Sequence, residues 1–352
     1  MSNQNNIVRL SNSAIELYKT CPYRYKLHYV DRIRGTTTSS PLFFGKAIDE
    51  ALNCMLLTKK KSLTEEEEIL ASANPFEVFD KEFKTTSINN ESVDIALSEK
   101  AEYYNTDCDL ELLTEEDYSN IENVSLDNLI DISRENIVAF YEECIFNRKN
   151  KIPLEVEVQK MFNFIAWLSL RRKGHMMLEA YKHQIMPKIQ EVHTIQRKVM
   201  LPDADGNYIV GYIDFEATWE DGVRRVLDNK TCSYTYYRNL IVETSQQLAL
   251  YSEYAENREC GYICILKKLK KRNPRVSINL KFATIPETTV EEVFDTVGNV
   301  LLNIKNEEFP KNENNCFMYG KPCPYFSYCK SNGVNHENLL KLPKKDLTIE
   351  KK

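Results

Sequence analysis

Residues Gly211 to Thr231 constrain this chain more than any other stretch. They read Gly211-Tyr212-Ile213-Asp214, a short run broken by Asp221-Gly222, then Val226-Leu227-Asp228-Asn229-Lys230-Thr231. Apolar residues flank each carboxylate and Asp-Gly is a tight-turn dipeptide, so two antiparallel strands joined by a hairpin are predicted. Side chains alternate faces along a strand, which puts Asp228 and Lys230 on the same side. Two carboxylates and an ammonium on one sheet face are costly to bury, and such a set commonly holds a divalent cation that activates water. The alternative is a surface hairpin with an exposed ion pair, nearly neutral in energy. The hairpin alone does not choose between the two.

A length of 352 residues allows one large domain or two ordinary ones. With 42% hydrophobic and 28% charged residues, the composition is that of a water-soluble globular chain. The net charge of −6 does not advertise a nucleic-acid partner, yet a locally basic face on an acidic chain can still bind one. Met1 to Val8 is polar and no apolar run reaches bilayer-spanning length, so a cytoplasmic, reducing setting with no membrane partner is expected. In that setting ten cysteines read as buried thiols or metal ligands rather than disulfides.

Along the chain, Ser11 or Ser13 caps a first helix, Cys21-Pro22 interrupts it, and a second helix runs from Tyr23 to Tyr29. Its aromatic and basic residues suit either a core or a nucleic-acid strand. A loop at Gly35 to Pro41 leads to a helix starting near Gly45, with Asp49 beside its apolar stripe. Residues 58–155 alternate acidic runs such as Glu65 to Glu68 with helical periodicity, and Asn74-Pro75 marks a helix start. A longer helix, about Val156 to Tyr181, has Gly174 as a candidate kink. Strand patterns follow from Lys188, with a turn at Asp203 to Asn207. A helix over Glu243 to Tyr254 sets Gln247 and Tyr251 on one face. Two further strands, Tyr262 to Leu269 and Val276 to Ala283, are joined by a loop carrying Lys267, Lys268, Lys270, Lys271, Arg272 and Arg275. That cluster is either a solubility feature or a set of phosphate contacts. A last helix spans Thr288 to Lys305.

The tail holds Cys316, Cys323 and Cys329 in a segment rich in Asn, Gly and Pro with little core of its own, which argues for a metal or cluster. Cys21, breaking a helix at the other end of the chain, supplies a fourth thiol. Spacing does not separate zinc from an iron–sulfur cluster. Cys54, Cys108, Cys144, Cys232, Cys260 and Cys264 read as core.

In order, Leu10-Ser11-x-Ser13, Cys21-Pro22-x-x-Tyr25, Phe44-Gly45 with Asp49, Gly211-x-Ile213-Asp214, Asp228-x-Lys230-Thr231, Gln247-x-x-x-Tyr251 and the three-cysteine tail resemble the RecB-like branch of the PD-(D/E)XK nucleases. The similarity is to members with an iron–sulfur cluster, such as the CRISPR-adaptation nucleases and the AddB nuclease domain. This resemblance implies an α/β (α+β-like), restriction-endonuclease-like fold: a mixed central sheet flanked by helices, with a helical insertion and a cysteine-rich cluster-binding tail. It implies core helices in 1–57, an insertion in 58–185, the core sheet and helices in 186–310, the cluster tail in 311–335 and a loose end in 336–352. It also implies a DNA nuclease dependent on Mg²⁺ or Mn²⁺, an exonuclease on single-stranded or duplex ends in replication, recombination or repair, with a helicase or recombination protein as partner. Asp214 and Asp228 would ligate the cation, helped by the backbone carbonyl of Asn229. Lys230 would orient the attacking water, and Gln247 and Tyr251 would border the site. Cys21, Cys316, Cys323 and Cys329 would hold a [4Fe-4S] cluster, or Zn²⁺ in the alternative. Where these nucleases commonly carry histidine after Gly-x-x-x, this chain has Asp49, which can also bind the cation; Glu191 is a further acidic candidate. The competing expectation is a catalytically silent or partner-dependent DNA-binding subunit.

Overall fold

A computed structural model describes residues 8–88, 91–102, 109–126, 130–202, 207–269, 275–318 and 321–342. The expected loop at Lys270 to Pro274, most of the Asp203–Asn207 turn, Cys108 and the end after Leu342 lie outside the described residues.

Strand β1 (Arg9–Leu10) runs straight into helix α1 (Asn12–Thr20), whose Ser11 cap accepts the Ala14 N–H at 3.2 Å. Cys21 ends α1 in an extended conformation, and Pro22 opens the short helix Pro22–Tyr25, which continues as a wider turn over Lys26–Val30. Helix α2 covers Ser40–Leu57, five residues earlier than its expected start near Gly45. Pro41 sits in its first turn, where a missing N–H costs nothing, and Phe43 and Phe44 already belong to its buried stripe.

Helix α3 (Pro75–Lys84) is capped by Asn74, and its Phe79 and Phe83 are buried. Helix α4 runs unbroken over Val156–Gln184. Gly174 is therefore no break: a Cβ there would lie 2.2 Å from the Phe79 ring, so glycine lets α3 and α4 approach. The acidic run at Glu65 is the first turn of helix Glu65–Ser72, closed by a capping box between Thr64 and Glu67.

The sheet is built from β2 (Ile189–Pro202), β3 (Tyr208–Trp219), β4 (Arg224–Cys232), β5 (Glu259–Leu266) and β6 (Ile278–Thr284), with β1 completing six strands. Its order is β1-β3-β4-β5-β6, and β2 lines the other edge of β3. β4 and β5 are parallel and joined through helix α5 (Gln246–Ala255); β3–β4 and β5–β6 are antiparallel. The sheet is thus mixed and flanked by helices, as expected. The hairpin turn bonds Gly222 N–H to the Trp219 carbonyl at 2.9 Å, and Gly222 takes φ +79°, the left-handed position that a three-residue hairpin loop demands.

One feature of β3 places the chemistry. On the same edge it pairs with β1 at Tyr208 and Ile209 and with β4 from Phe215 to Thr218, so the stretch between has no ladder partner there. Asp214 lies at the end of that gap. Alternating residues of β4 and β5 feed two apolar cores. Leu227, Ile263 and Ile265 pack with α2, α3 and α4, while Val226, Tyr262 and Cys264 pack with α1, α5 and helix α6 (Glu287–Lys305).

Candidate active site and cysteine pocket

Three carboxylates meet where α2 crosses the hairpin. Asp214 Oδ2 accepts the backbone N–H of Asn229 at 3.1 Å, tying the two strands beyond their last regular pair. Burial, then Asp228 and then Asp49, push the Asp214 carboxyl well above the usual carboxylate range. Asp49 is pushed up to about 7, first by burial and next by Asp228, with Lys230 pulling the other way. Asp228 Oδ2 contacts Lys230 Nζ at 2.5 Å, an ion pair on one strand face, as period-two alternation requires. Beyond that ammonium, the buried oxygen has no further hydrogen-bond donor among the described residues. Three mutually repelling acids are the arrangement a hard divalent cation relieves. The chemistry of the donor set suits such an ion, although its spacing as it stands does not. Among the described residues, no three His, Cys, Asp or Glu side chains are yet grouped closely enough to hold one.

Lys230 keeps its charge: burial opposes it, but Asp228 and Asp214 overcome burial and raise its pKa. Gln247, in the first turn of α5, bridges the pair, its Oε1 accepting from Lys230 Nζ at 3.3 Å and its Nε2 donating to Asp228 Oδ1 at 3.1 Å. Gln247 Nε2 also donates to the Tyr251 hydroxyl at 3.2 Å, the i,i+4 pair expected from spacing. Behind them Ser245 caps α5 and meets the Tyr262 hydroxyl at 2.5 Å, and Tyr262 stands opposite Asp228 in the β4–β5 register. Gly211 is needed for space: a Cβ would come within 2.8 Å of the Tyr251 ring. Asn229 faces the other way, its Oδ1 accepting from the Tyr181 hydroxyl at 3.2 Å.

An open cleft of about 750 Å³ gives access, lined by Lys46, Asp49, Lys230, Cys232, Tyr236 and Lys267 among others. A second cleft, about 460 Å³, continues past Asp49 along Glu50, Gln196 and Tyr212. Of the six basic loop residues, Lys267 reaches the first cleft, its ammonium 5.7 Å from the Phe44 ring centre. Lys268 and Arg275 are exposed; Lys270, Lys271 and Arg272 lie outside the described residues. Glu191 is not brought to the carboxylates. It stands opposite Thr218 in the β2–β3 ladder and pairs with Lys61 at 2.5 Å. Sequence reasoning passed over Lys46, Tyr181 and Tyr236. The Tyr234-Thr235-Tyr236-Tyr237 run just after Lys230-Thr231 was the available signal for the last.

The four cysteines also come together. Cys21, Cys316, Cys323 and Cys329 line one pocket of about 30 Å³ with Arg24, Lys311 and Lys330, and no described cysteine is in a disulfide. Burial raises the Cys323 thiol, with Cys21 and Cys316 adding to the shift. Asn312 N–H points at Cys21 Sγ at 3.5 Å. Protein contacts span the two ends of the chain here. The Tyr325 hydroxyl donates to the Ile33 carbonyl at 3.0 Å and meets His28 Nδ1 at 2.8 Å, and Leu339–Lys341 pairs with Ile33–Gly35. The donor set fits a thiophilic metal group. The thiols are not drawn together closely enough to hold an ion as they stand, so either a single ion or a cluster needs them to rearrange.

The family profile described as the PD-(D/E)XK nuclease superfamily matches residues 9–117 and 138–330, and the chain belongs to that superfamily. No curated protein matches the chain. The crystal structure of SSO0001 is similar over 53% of this chain and 85% of that one, at 15% identity and a TM-score of 0.24, too distant to carry an argument. Membership implies nuclease activity and, in general, use of Mg²⁺ or Mn²⁺. Among the described residues no helix is long and apolar enough to cross a membrane.

Proposed function

We propose that the protein is a Mg²⁺- or Mn²⁺-dependent DNA exonuclease of the RecB-like branch, acting on ends during replication, recombination or repair. The observation that carries this reading is the buried Asp228–Lys230 ion pair, bridged by Gln247 and faced by Asp214 and Asp49. Asp214 and Asp228 would hold the cation, with the Asn229 carbonyl beside them and Asp49 in the place where these nucleases commonly have histidine. The cation would supply Lewis acidity toward the phosphoryl oxygens and lower the pKa of a water. Lys230, held charged and oriented by Gln247, would position the nucleophilic water and counter charge developing on the phosphate. Tyr251 fixes Gln247 in turn. Mutually repelling carboxylates, one buried and two partly exposed, around a charged lysine have little use in a silent binding subunit, which disfavours that alternative.

At the other pocket, the four thiols would hold an iron–sulfur cluster that ties the N-terminal helices to the tail. Zinc is the second reading, since four thiolates suit either group. A cleavage assay on end-labelled single- and double-stranded DNA with Mg²⁺ or Mn²⁺, wild type against Lys230→Ala, tests the active site. The expected loss is on the order of a hundred- to a thousandfold, as for removal of one electrostatic catalyst. Equal activity in the two proteins removes the proposal. Iron, sulfide and zinc analysis of the purified protein decides between the two metal groups.

A further inference from the structure

The short helix Tyr234–Asn239, directly after β4, brings Tyr236 to the access cleft and is held there by several contacts. Ser233 caps it, its Oγ accepting the Tyr236 N–H at 3.2 Å. Lys281 reaches over from β6 and donates to the carbonyls of Tyr237 at 2.8 Å and Leu240 at 2.5 Å, with its ammonium 4.5 Å from the Tyr237 ring centre. These contacts fix the direction in which Tyr236 leaves the helix. Tyr234 and Tyr237, three apart, share the other side, with ring centres 6.0 Å apart.

Tyr236 instead lines the 750 Å³ cleft together with Lys46, Lys230 and Lys267. The residue is 49% exposed. Partial burial raises its phenol pKa, with Lys230 lowering it and Asp228 adding to the rise. An exposed ring beside Lys230, inside a cleft edged with ammonium groups, is a combination that suits single strands. In a duplex both faces of each base are covered by its neighbours, so such a ring favours bases that are unpaired or splayed.

We propose that Tyr236 stacks on the base next to the scissile phosphate and so sets the position of the strand in the cleft. This rests on the nuclease reading above and names a substrate-positioning residue of the same site.

The test uses the full chain with Mn²⁺ and an end-labelled single-stranded oligonucleotide, alongside copies in which one base at a time is replaced by an abasic residue. Wild type, Tyr236→Phe, Tyr236→Ala, Tyr234→Ala and Lys230→Ala are compared for kcat and KM. Tyr236→Ala is expected to raise KM about ten- to a hundredfold, the range for losing one stacked base. Tyr236→Phe keeps the ring and is expected to restore KM, and Tyr234→Ala, on the outer side, to behave as wild type. At one position the abasic residue is expected to cost wild type the same factor and to cost Tyr236→Ala nothing more. The proposal falls if Tyr236→Ala keeps its KM, if Tyr236→Phe is equally impaired, if Tyr234→Ala is impaired as much, or if the losses multiply at every abasic position. Lys230-dependent cleavage with an unchanged Tyr236→Ala overturns this inference alone. Absence of Lys230-dependent cleavage overturns it together with the nuclease reading.

Discussion

The carboxylate cleft and the cysteine pocket are both candidate metal centres, but they are held in opposite ways. The cleft stands on a six-stranded sheet between two extensive apolar cores, which fix Asp214, Asp228 and Lys230 whatever the charges cost. Its own electrostatics oppose folding. The cysteine pocket rests on an apolar cluster of three buried residues, Leu27, Ile33 and Tyr325, and its thiols have little beneath them. A cation at the first site would relieve strain in a scaffold that folds anyway. At the second it would supply much of the local folding energy.

The largest expected difference lies in that second region. Cys323→Ala should open the pocket, speeding amide exchange across residues 21–35, 316–318 and 321–342 while β3, β4 and β5 stay protected. Structural metal sites of this kind contribute about 10 kcal/mol or more to small units, far above the stability of a three-residue core. Uniform exchange in variant and wild type, or loss of protection in the sheet, would break the contrast.

A smaller effect should appear as pH dependence at the cleft. Asp49 has a folded pKa of about 7 against an ordinary value of 3.8, so between those values the folded chain holds a proton that the unfolded chain has released. Stability without a cation therefore falls as pH rises from about 4 to about 7, by on the order of 4 kcal/mol from this group, and Asp214 acts in the same direction. Asp49→Asn cannot ionise and should flatten the melting profile over that window. Mn²⁺ should raise Tm more at pH 8 than at pH 5, since it binds the ionised carboxylates. Matching profiles for wild type and Asp49→Asn would remove the electrostatic half of the comparison.

Least in size, Gly211→Ala should lower stability by about 1–3 kcal/mol, the cost of overpacking, by driving a methyl into Tyr251. Through Gln247 it should also slow cleavage, while leaving exchange in the tail untouched. A variant with wild-type Tm and rate would show that Tyr251 yields freely and does not fix Gln247.

How much of this was legible in the sequence follows from range. The hairpin, the shared face of Asp228 and Lys230 and the Gln247–Tyr251 pair depend on spacings of two to four residues, which strand and helix periods translate directly. The start of α2 was misplaced because Gly45 was read as a boundary, although Pro41 carried the first-turn signal; a Cβ at Gly45 would make only ordinary contact with Thr231. Gly174 looked like a break because its reason, the Phe79 ring, lies on another helix. The parallel two-residue strand β1 and the isolation of Glu191 from the acids are long-range facts with no local trace. The basic loop was visible as composition, but which of its residues reaches the cleft depends on the path of the chain.

The contacts that join His28 to Tyr325 across 297 residues also set a timetable. At about 5–20 residues per second, the N-terminal helices wait roughly 15–60 s after synthesis for the partner that completes their pocket. During that wait Cys21 stands without the three thiols that will surround it. The pocket cannot close until Cys329 has been made, so any metal taken up by all four cysteines enters a chain whose six-stranded sheet has already been synthesised.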